Sequence, residues 1–370
     1  MKTVVLGGYG NFGGRICRAL ADSPNIELLV AGRHARRAES LAAELGKHVG
    51  AMRIDLADGN LAQVLRDMGA ELVIHTAGPF QQQGYGVPLA AAAAGAHYID
   101  LADGRSFVCD FPRALDAAFR AVGRLAVSGA STVPALSSAV VDHLTDHWRQ
   151  IDAIDICIAP AQTAPRGIAT LEGVLNYCGA PIQIWHDGAW VTRYGWSAPQ
   201  RVQFLRLRPR LGAVCDIPDL TLFPLRYQGV RSVMFRAALE IGLTQRVFSM
   251  IAGLRRRGVL SRPARFARML NAAAKGFDFL GSSLGGMVVR VAGIDADGMA
   301  AKRAWHIAAD NDHGPEIPCM SAIILARRLA RKEITDVGAY TAVGWVALSD
   351  FTPEFEKWHM LTDVVEESVA

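Results

Sequence analysis

The start of the chain places the strongest constraint on its fold. Residues 3–6 are an apolar, β-branched run, followed at once by glycines spaced Gly8-x-Gly10-x-x-Gly13 and by an apolar-periodic segment. This order predicts a strand, a tight turn and a helix. Gly8 allows the turn, Gly10 lets a pyrophosphate approach the backbone, and Gly13 lets helix and strand pack closely. A glycine-rich turn without a ligand is the alternative.

The predicted helix after this turn supplies the remaining part of a phosphate site. Its first residues include Asn11 and Phe12. Free N–H groups at a helix start, together with the positive end of the helix dipole, favour bound phosphate. We therefore expect both residues to lie against a nucleotide cofactor.

Composition and cysteine usage limit the class of protein. The chain has 370 residues, of which 51% are hydrophobic and 20% charged, which is enough for two globular domains with a large core. Its six cysteines are scattered without a C-x-x-C pair, which favours reduced thiols and a cytoplasmic protein over a disulfide framework or a zinc site. We find no apolar run long enough to span a membrane and no signal-peptide pattern, so we expect neither.

The end of the second predicted strand, residues 26–33, predicts which nicotinamide cofactor binds. A carboxylate there would favour NAD by accepting hydrogen bonds from the ribose 2′-OH. This chain instead has Arg33, then Arg36 and Arg37, and no carboxylate before Glu39. Because a guanidinium pairs with a 2′-phosphate, we predict NADP(H), with Arg33 as the main contact and Arg36 beside it. An ordinary solvated role for Arg36 and Arg37 in a helix over 35–45 stays open.

Strand and helix patterns alternate six times over the first 129 residues. Short connections of this kind call for right-handed βαβ units and a doubly wound parallel sheet, an α/β Rossmann domain. The predicted strands and helices after residue 45 are 51–56, helix 61–68, 71–77, helix 87–94, 98–101, helix 112–122 and 125–129.

In such a sheet the ligand lies across the carboxyl ends of the strands. Asp55 follows the third strand, where it meets an adenine ring or caps the next helix. Ala77, Gly78 and Pro79 follow the fourth strand, where Gly78 lets the backbone approach the ribose and nicotinamide. Ser131 follows the sixth strand and bonds the carboxamide or the substrate, or caps a helix that begins near Pro134.

Five motifs carry a family resemblance. Residues 7–13 (GGYGNFG), 76–80 (TAGPF), 98–104 (YIDLADG) and 128–134 (SGASTVP) resemble the saccharopine dehydrogenase-like (saccharopine reductase) family, and 314–329 is similar to members of that group. The resemblance implies an NADP-binding Rossmann domain, an inserted α+β substrate domain, and a C-terminal helix that returns to the first domain. It also implies NAD(P)-linked chemistry on a C–N or related bond, without naming the substrate.

We accordingly divide the chain into 1–135, a Rossmann domain, 136–314, a substrate and dimerisation domain, and 315–370, a helix and tail that return to the first domain. Within the second domain, 181–185 with 190–194 and 287–294 with 300–309 read as hairpins. They predict a mixed or antiparallel sheet with helices packed on one face. Sheets of this kind often form dimer interfaces, so we expect a homodimer. We expect the segment 345–348 and the acidic tail 363–367 to be peripheral.

The stretch 226–275 is strongly basic, with the single acid Glu240. We predict basic amphipathic helices over 230–275, split near Ser261-Arg262-Pro263. Three interpretations stay open: a partly buried helix pair with a basic outer face, a lid that attracts an acidic or acyl-carrier substrate, and peripheral attachment to an anionic membrane. We do not expect nucleic-acid binding, because no recognised binding module accompanies the charge.

Three residues are candidates for the chemistry. His313 precedes the C-terminal helix and is a candidate proton donor, while Asp103 and Arg105 follow the fifth strand, where Arg105 could hold a substrate carboxylate. Arg166 is a weaker candidate. His143 and His147 are four residues apart, but without a third ligand we predict no metal site.

Together these features predict an NADP(H)-dependent oxidoreductase. It would transfer hydride to or from a C=N or other polarised double bond of a small molecule in the interdomain cleft. The alternatives are a reductase of lipid or carrier-linked acyl substrates at a membrane surface and a non-catalytic NADP-binding sensor or scaffold.

Overall fold

A computed structural model describes residues 1–81, 83–165, 167–276 and 278–368, and the chain divides into two units. The first unit comprises Met1–Leu136 and Glu316–Val346, and the second comprises Ser137–Pro315 and Ala347–Ala370. Strands and helices are numbered below along the whole chain.

The first unit is built on a seven-stranded parallel sheet in the order β15-β6-β5-β4-β1-β2-β3. Its strands are β1 (Lys2–Leu6), β2 (Glu27–Gly32), β3 (Gly50–Arg53), β4 (Leu72–His75), β5 (His97–Asp100), β6 (Leu125–Ser128) and β15 (Gly338–Thr341). Its helices are α1 (Asn11–Leu20), α2 (Ala35–Leu45), α3 (Leu61–Asp67), α4 (Gly86–Ala93), α5 (Arg105–Ala121) and α11 (Ile317–Ala330). The predicted doubly wound Rossmann fold is confirmed.

Helix α5 begins earlier than the sequence pattern predicted. We expected a helix over 112–122, because proline usually begins a helix or interrupts it. The structure instead starts α5 at Arg105, with Pro112 inside it. The extra turns bury an apolar stripe at helical spacing, namely Phe107, Val108, Phe111, Leu115 and Phe119. Consequently Arg105 is the first residue of a helix rather than part of a loop.

Helix α11 returns to the first unit and packs on α1 beside the glycine-rich turn. The Cys319 thiol donates to the carbonyl oxygen of Phe12 over 3.6 Å, and Arg15 forms an ion pair of 2.8 Å with Glu316. At the other end of α1, Arg327 donates to the carbonyl of Ala19. These contacts tie the start of the phosphate-binding helix to a segment 300 residues later in the chain.

The second unit contains a nine-stranded mixed sheet whose main order is β10-β11-β12-β7-β13-β14-β16, with β8 and β9 attached beside β12. Among the strand pairs that the structure describes in this sheet, β7–β12 alone is parallel. Its strands are β7 (Gln150–Ala159), β8 (Pro181–His186), β9 (Ala189–Tyr194), β10 (Gln200–Val202), β11 (Arg210–Val214), β12 (Ser232–Leu239), β13 (Gly285–Ile294), β14 (Ala300–Ala309) and β16 (Leu361–Glu366). Its helices are α6 (Ser137–Leu144), α7 (Ile168–Tyr177), α8 (Asp219–Arg226), α9 (Gly242–Arg256), α10 (Ala267–Lys275) and α12 (Leu348–Lys357). Both predicted hairpins are present, as β8–β9 and β13–β14.

The prediction of basic helices over 230–275 was wrong for its first part. Residues 232–239 form β12, which pairs with β11 and β7 in the middle of the sheet. Val233 and Phe235 are buried two residues apart, the period of a strand, and Arg236 is neutralised by an ion pair with Asp155. The helices are α9 and α10, and the predicted break near Pro263 is confirmed.

The predicted C-terminal segment 315–370 is divided between the units. Residues 316–346 belong to the first unit, but 347–370 belong to the second, where β16 pairs with β14. The acidic residues that we expected to be peripheral are therefore part of the sheet. Asp363 binds Arg206, Glu366 binds Arg303, and Glu367 binds Arg290 and Lys302.

Candidate functional site

The carboxyl ends of β1 to β6 form one edge of the first unit's sheet, because these strands are parallel. The sheet order reverses between β1 and β4, which is the switch point where dinucleotides bind in such folds. Every predicted site residue of the first unit follows one of these strand ends. They are Gly8, Gly10, Asn11, Phe12 and Gly13 after β1, Arg33 and Arg36 after β2, Asp55 after β3, Ala77, Gly78 and Pro79 after β4, Asp103 and Arg105 after β5, and Ser131 after β6.

The glycine-rich turn connects β1 directly to α1. The N–H of Gly8 donates to the carbonyl of Ala31 on β2, and that of Gly10, the N-cap residue of α1, donates to Gly7. A Cβ on Gly13 would lie 2.2 Å from the Gly7 carbonyl oxygen and 2.7 Å from Thr76 Oγ1. No side chain fits there, so the close approach of α1 to β1 requires glycine at this position.

Tyr9, which the sequence analysis did not select, organises the end of β2. Its hydroxyl accepts a hydrogen bond of 2.9 Å from the N–H of His34, and the Arg37 guanidinium lies 4.7 Å from the centre of its ring. Its ring covers Gly32, where a Cβ would lie only 2.5 Å from a ring carbon. The first variable residue of the glycine motif therefore contacts the segment that carries Arg33, Arg36 and Arg37, all of which are exposed.

The side chain of Gln83 holds the loop after β4. The Gln83 amide donates to the carbonyl oxygens of Ala77 and Pro79 over 2.8 and 3.0 Å, and the Gly78–Pro79 peptide is cis. Phe80 is buried against His75, whose ring nitrogen lies 3.0 Å from the Tyr98 hydroxyl. Burial lowers the pKa of His75 to about 4, so it is a neutral core histidine.

Residues 3–133 match the family described as saccharopine dehydrogenase NADP binding domain. This segment of the chain therefore carries a saccharopine dehydrogenase-type NADP-binding domain. The match covers the glycine-rich turn, the arginines after β2 and the loops after β4, β5 and β6. It supports NADP(H) as the cofactor and an NAD(P)-dependent oxidoreductase as the class of enzyme.

Two solved structures share the fold over almost the whole chain. Apo saccharopine dehydrogenase (L-Glu forming) from Saccharomyces cerevisiae is 12% identical with a TM-score of 0.69, and the alignment covers 99% of this chain and 100% of that one. Homospermidine synthase from Legionella pneumophila, in complex with NAD, is 11% identical with a TM-score of 0.63, covering 99% and 91%. At this identity the likeness concerns the fold. No curated protein sequence matches the chain.

Asp100, another residue that the sequence analysis did not select, joins the ends of β5 and β6 in the NADP-binding domain. Its carboxylate accepts hydrogen bonds from the Ser128 hydroxyl and from the backbone N–H groups of Gly129 and Ala102, over 2.8 to 3.0 Å. Its carbonyl oxygen accepts from Ala130. Burial raises the pKa of this carboxyl to about 6. Asp100 thus fixes the backbone conformation just before Ser131, which is a predicted cofactor contact.

Ser131 itself is buried and follows a tight turn in which its N–H donates to Gly129. Its carbonyl oxygen accepts from Leu136, within a helical turn that is interrupted by an extended Val133 before α6 begins at Ser137. Helix α6 therefore begins a few residues later than the predicted start near Pro134. Nothing in the turn assigns the Ser131 hydroxyl to a ligand.

Asp103 and Arg105 lie at the end of β5, on either side of the residue that caps α5. The Gln81 amide donates to the Asp103 carboxylate over 3.0 Å, which connects the loops after β4 and β5. Burial raises the pKa of Asp103, although the Gln81 hydrogen bond partly opposes this shift. A carboxyl with a raised pKa can carry a proton closer to neutral pH, which is the property of a general acid.

Two predicted cofactor contacts have structural partners of their own. Asp55 follows β3 and accepts the N–H of Ala57, as expected if it shapes its own turn. The side-chain oxygen of Asn11 accepts a hydrogen bond of 2.7 Å from Arg15. Neither contact excludes the predicted role, which stays a prediction.

His313 belongs to the second unit. Its ring packs edge-on against Trp358, with centres 4.9 Å apart, and a ring nitrogen lies 3.2 Å from the Trp358 carbonyl oxygen. Arg166 lies outside the described residues. His143 and His147 are exposed, and α6 ends between them, so they do not share one helix face. Within the part of the chain that the structure describes, no group of three His, Cys, Asp or Glu residues could hold a metal ion.

Proposed function

We propose that this protein is an NADP(H)-dependent oxidoreductase that transfers hydride to or from a C=N or other polarised double bond of a small molecule. The observation that carries the proposal is the end of β2. There Arg33, Arg36 and Arg37 stand beside a glycine-rich turn, with no carboxylate from residue 28 to 38. The family match over residues 3–133 supports the same cofactor.

The residues present fit this cofactor. In the proposal the turn from Gly8 to Gly13 binds the pyrophosphate through the N–H groups at the start of α1, since those of Gly8 and Gly10 already donate to Ala31 and Gly7. Arg33 and Arg36 bind the 2′-phosphate. Asp55 lies against the adenine. Ala77, Gly78 and Pro79 lie along the ribose and nicotinamide, and Ser131 donates to the carboxamide.

The cofactor, when bound, supplies or accepts the hydride, and the chain supplies the proton and the substrate contacts. We assign Asp103 as a proton donor, because burial raises its pKa and Gln81 orients it. Arg105, the first residue of α5, would pair with a substrate carboxylate. His313 is the second candidate for proton transfer, with Trp358 fixing its ring. The C=N assignment is supported by the names of the two structural relatives, a saccharopine dehydrogenase and a homospermidine synthase.

Cofactor selection is tested by titrating NADPH, NADH, NADP⁺ and NAD⁺ into the protein and into Arg33→Asp. We expect the parent to prefer the phosphorylated cofactors, and Arg33→Asp to lose at least tenfold in NADPH affinity while NADH affinity changes little. Arg113→Asp, an exposed arginine on α5, is the control for the change in charge. An unchanged NADPH-to-NADH ratio in Arg33→Asp would contradict the assignment.

The reaction is tested with NADPH deuterated at C4 and a panel of 2-oxo acids mixed with primary amines, which form C=N bonds reversibly in water. Deuterium should appear in a reduced amine product. Asp103→Asn and His313→Gln should lower kcat without changing the affinity for NADPH. If no compound with a polarised double bond takes up deuterium although NADPH binds, the non-catalytic sensor becomes the better proposal.

The predictions about cellular location, oligomeric state and a lipid or acyl substrate also remain proposals. All six cysteines are free thiols, five of them buried, which supports a reducing, cytoplasmic location. The described residues include no helix that is long and apolar enough to cross a membrane. A homodimer through the second unit's sheet and a lipid or carrier-linked acyl substrate are further proposals. The exposed arginines and apolar side chains of α9 and α10 favour the lipid alternative.

A further inference from the structure

The outer face of α9 differs from that of an ordinary amphipathic helix. One side is buried and holds Gln245, Phe248 and Ala252. The opposite side is exposed, and since residues i, i+3, i+7 and i+14 of a helix share a face, one stripe contains Leu243, Arg246, Met250 and Arg257. Leu243 is 55% and Met250 59% exposed. This solvent face thus combines large apolar side chains with arginines.

The same mixture continues along the chain after α9. Val259, Met269, Phe279 and Leu280 are between 60% and 80% exposed. Exposed arginines lie between Val259 and Met269, at positions 262, 265 and 268. We call the exposed residues of 243–280 the basic apolar surface. Single exposed apolar residues are ordinary, but six large ones within one short segment indicate an interaction site.

Most of this segment carries charge of one sign, and the acid near its end, Asp278, accepts a hydrogen bond of 2.9 Å from the Gln162 amide. Residues 241–276 include the arginines 246, 255, 256, 257, 262, 265 and 268 and Lys275, and no aspartate or glutamate. Part of this charge has a structural use, since Arg255 donates to the carbonyls of Asn176 and Cys178, and Arg256 stacks over Tyr194 at 4.1 Å. Arg246, Arg257, Arg262 and Arg268 project from exposed positions without a carboxylate in their own segment.

We infer that the basic apolar surface binds an anionic lipid bilayer. A second copy of the chain is a poor occupant, because a two-fold interface would place these arginines against each other. A bilayer meets both properties, since lipid phosphates pair with the arginines while Leu243, Met250 and Phe279 enter the boundary between headgroups and acyl chains. The inference is independent of the reaction proposed above, because it concerns a surface of the second unit only.

The first test measures co-sedimentation of the full-length protein with vesicles of phosphatidylcholine alone and with phosphatidylglycerol added. Binding should require the anionic lipid and weaken as salt is raised. Each arginine near a charged bilayer contributes roughly fivefold in affinity, so Arg246→Gln/Arg257→Gln/Arg268→Gln should bind about a hundredfold more weakly. The control Arg113→Gln/Arg193→Gln/Arg201→Gln removes the same charge from other exposed positions and should bind as the parent does.

The second test separates a bilayer from a soluble anionic partner. Leu243→Ser/Met250→Ser/Phe279→Ser keeps every arginine but removes the apolar contacts, and we expect at least a tenfold loss of vesicle binding. Leu89→Ser/Leu225→Ser/Met299→Ser changes apolar residues that are 47–73% exposed elsewhere and is the matched control. NADPH titration and thermal unfolding of each variant check that the fold is intact.

Four results would overturn the inference. One is the absence of binding to anionic vesicles at low salt. Another is an arginine triple variant that loses no more than its control. The third is an apolar triple variant that binds vesicles normally, which would assign the surface to a soluble acidic partner. A change of oligomeric state in the arginine variant, measured by light scattering, would likewise assign it to a second copy. The deuterium-transfer assay reports separately on the proposed reaction.

Discussion

At the residue scale, Tyr9 connects the two parts of the cofactor site that the sequence analysis treated separately. It lies within the glycine motif, yet its hydroxyl and ring contact His34, Gly32 and Arg37 at the end of β2. A variable position of the motif therefore helps to orient the arginines expected to bind the 2′-phosphate. Only the three-dimensional arrangement shows this, because the two segments are more than twenty residues apart.

Tyr9→Phe tests this role. It keeps the ring over Gly32 but removes the hydrogen bond to His34, which is worth about 1 kcal/mol. We expect NADPH to bind about fivefold more weakly and NADH to bind unchanged, as measured by fluorescence titration. Tyr340→Phe is the control. It removes a hydroxyl on β15 that donates a hydrogen bond to the Val337 carbonyl, and it should change neither affinity. Equal losses for NADPH and NADH would show that Tyr9 supports the fold rather than cofactor choice.

Asp100 links stability to pH. Burial raises the pKa of its carboxyl from 3.8 to about 6, although four hydrogen bonds favour the charged form. Since the folded chain holds this proton more tightly than the unfolded chain, the contribution of Asp100 to stability is complete below pH 3.8. It is lost as the pH rises through about 6. His75, whose pKa is lowered to about 4, acts in the opposite direction over a similar range.

Asp100→Asn isolates this contribution, because the amide oxygen can still accept hydrogen bonds but cannot ionise. We expect the stability of the variant relative to the parent to increase by about 3 kcal/mol between pH 4 and pH 7, with His75 common to both proteins. Urea unfolding at several pH values measures the difference. A difference that does not change with pH would mean that Asp100 ionises normally in the folded chain.

At the element scale, the contact between β1 and α1 depends on a missing side chain. A Cβ on Gly13 would collide with the Gly7 carbonyl and Thr76, whereas a Cβ on Gly14 would meet nothing closer than the movable end of Arg18 at 3.2 Å. The two adjacent glycines of α1 are thus unequal. The first maintains the distance between strand and helix, and the second does not.

Gly13→Ala and Gly14→Ala form a matched pair. Gly13→Ala must displace α1 from β1, so we expect a loss of about 1–3 kcal/mol in stability and a loss of NADPH binding beyond a hundredfold. Gly14→Ala should remain within about 0.5 kcal/mol of the parent and bind NADPH normally. Thermal unfolding and the cofactor titration measure both effects. Similar behaviour of the two variants would contradict the geometry.

The element that the sequence pattern misidentified is β12. Arginines at 231 and 236 suggested the polar face of a helix, but the buried residues Val233 and Phe235 follow the period of a strand. The reason for the error is tertiary. Arg236 is only 13% exposed because Asp155 on the neighbouring strand β7 neutralises it, and sequence patterning assigns a buried, paired arginine to the surface.

At the scale of the whole molecule, the last residues of the chain complete the second unit. β16 covers the edge of β14, and Phe355 on α12 packs against Trp305 with ring centres 6.1 Å apart. The acidic residues Asp363, Glu366 and Glu367 neutralise four basic side chains of that unit. The C-terminus is therefore structural rather than an appendage.

Truncation tests this conclusion. A chain that stops after Val346 leaves the edge of β14 unpaired and exposes Trp305, so we expect aggregation or loss of cooperative unfolding. A chain that stops after Ser368 keeps β16 and should unfold as the full-length protein does. Gel filtration and thermal unfolding compare the two. A soluble, cooperatively folded chain ending at residue 346 would contradict the structural role of β16.

Local patterns sufficed for the first unit and for the family. The strand, glycine turn and helix, the repeated apolar strands, and the arginines after β2 are each encoded within a few neighbouring residues. The parallel sheet then brings all the strand ends to one edge, so the sequence alone sufficed to select the candidate cofactor residues. The two hairpins of the second unit were equally predictable from the sequence, because turn and strands are adjacent in the chain.

Other features depend on contacts between distant segments. Tyr9 beside β2, Asp100 across β5 and β6, β12 beside β7, and β16 on β14 each join residues between 25 and about 80 positions apart. Arg236 and the acidic tail are structural rather than peripheral, because each pairs with a distant partner. Burial also raises the pKa values of Asp100 and Asp103. Local sequence encodes propensity and motif, whereas desolvation and charge pairing exist only once the chain has folded.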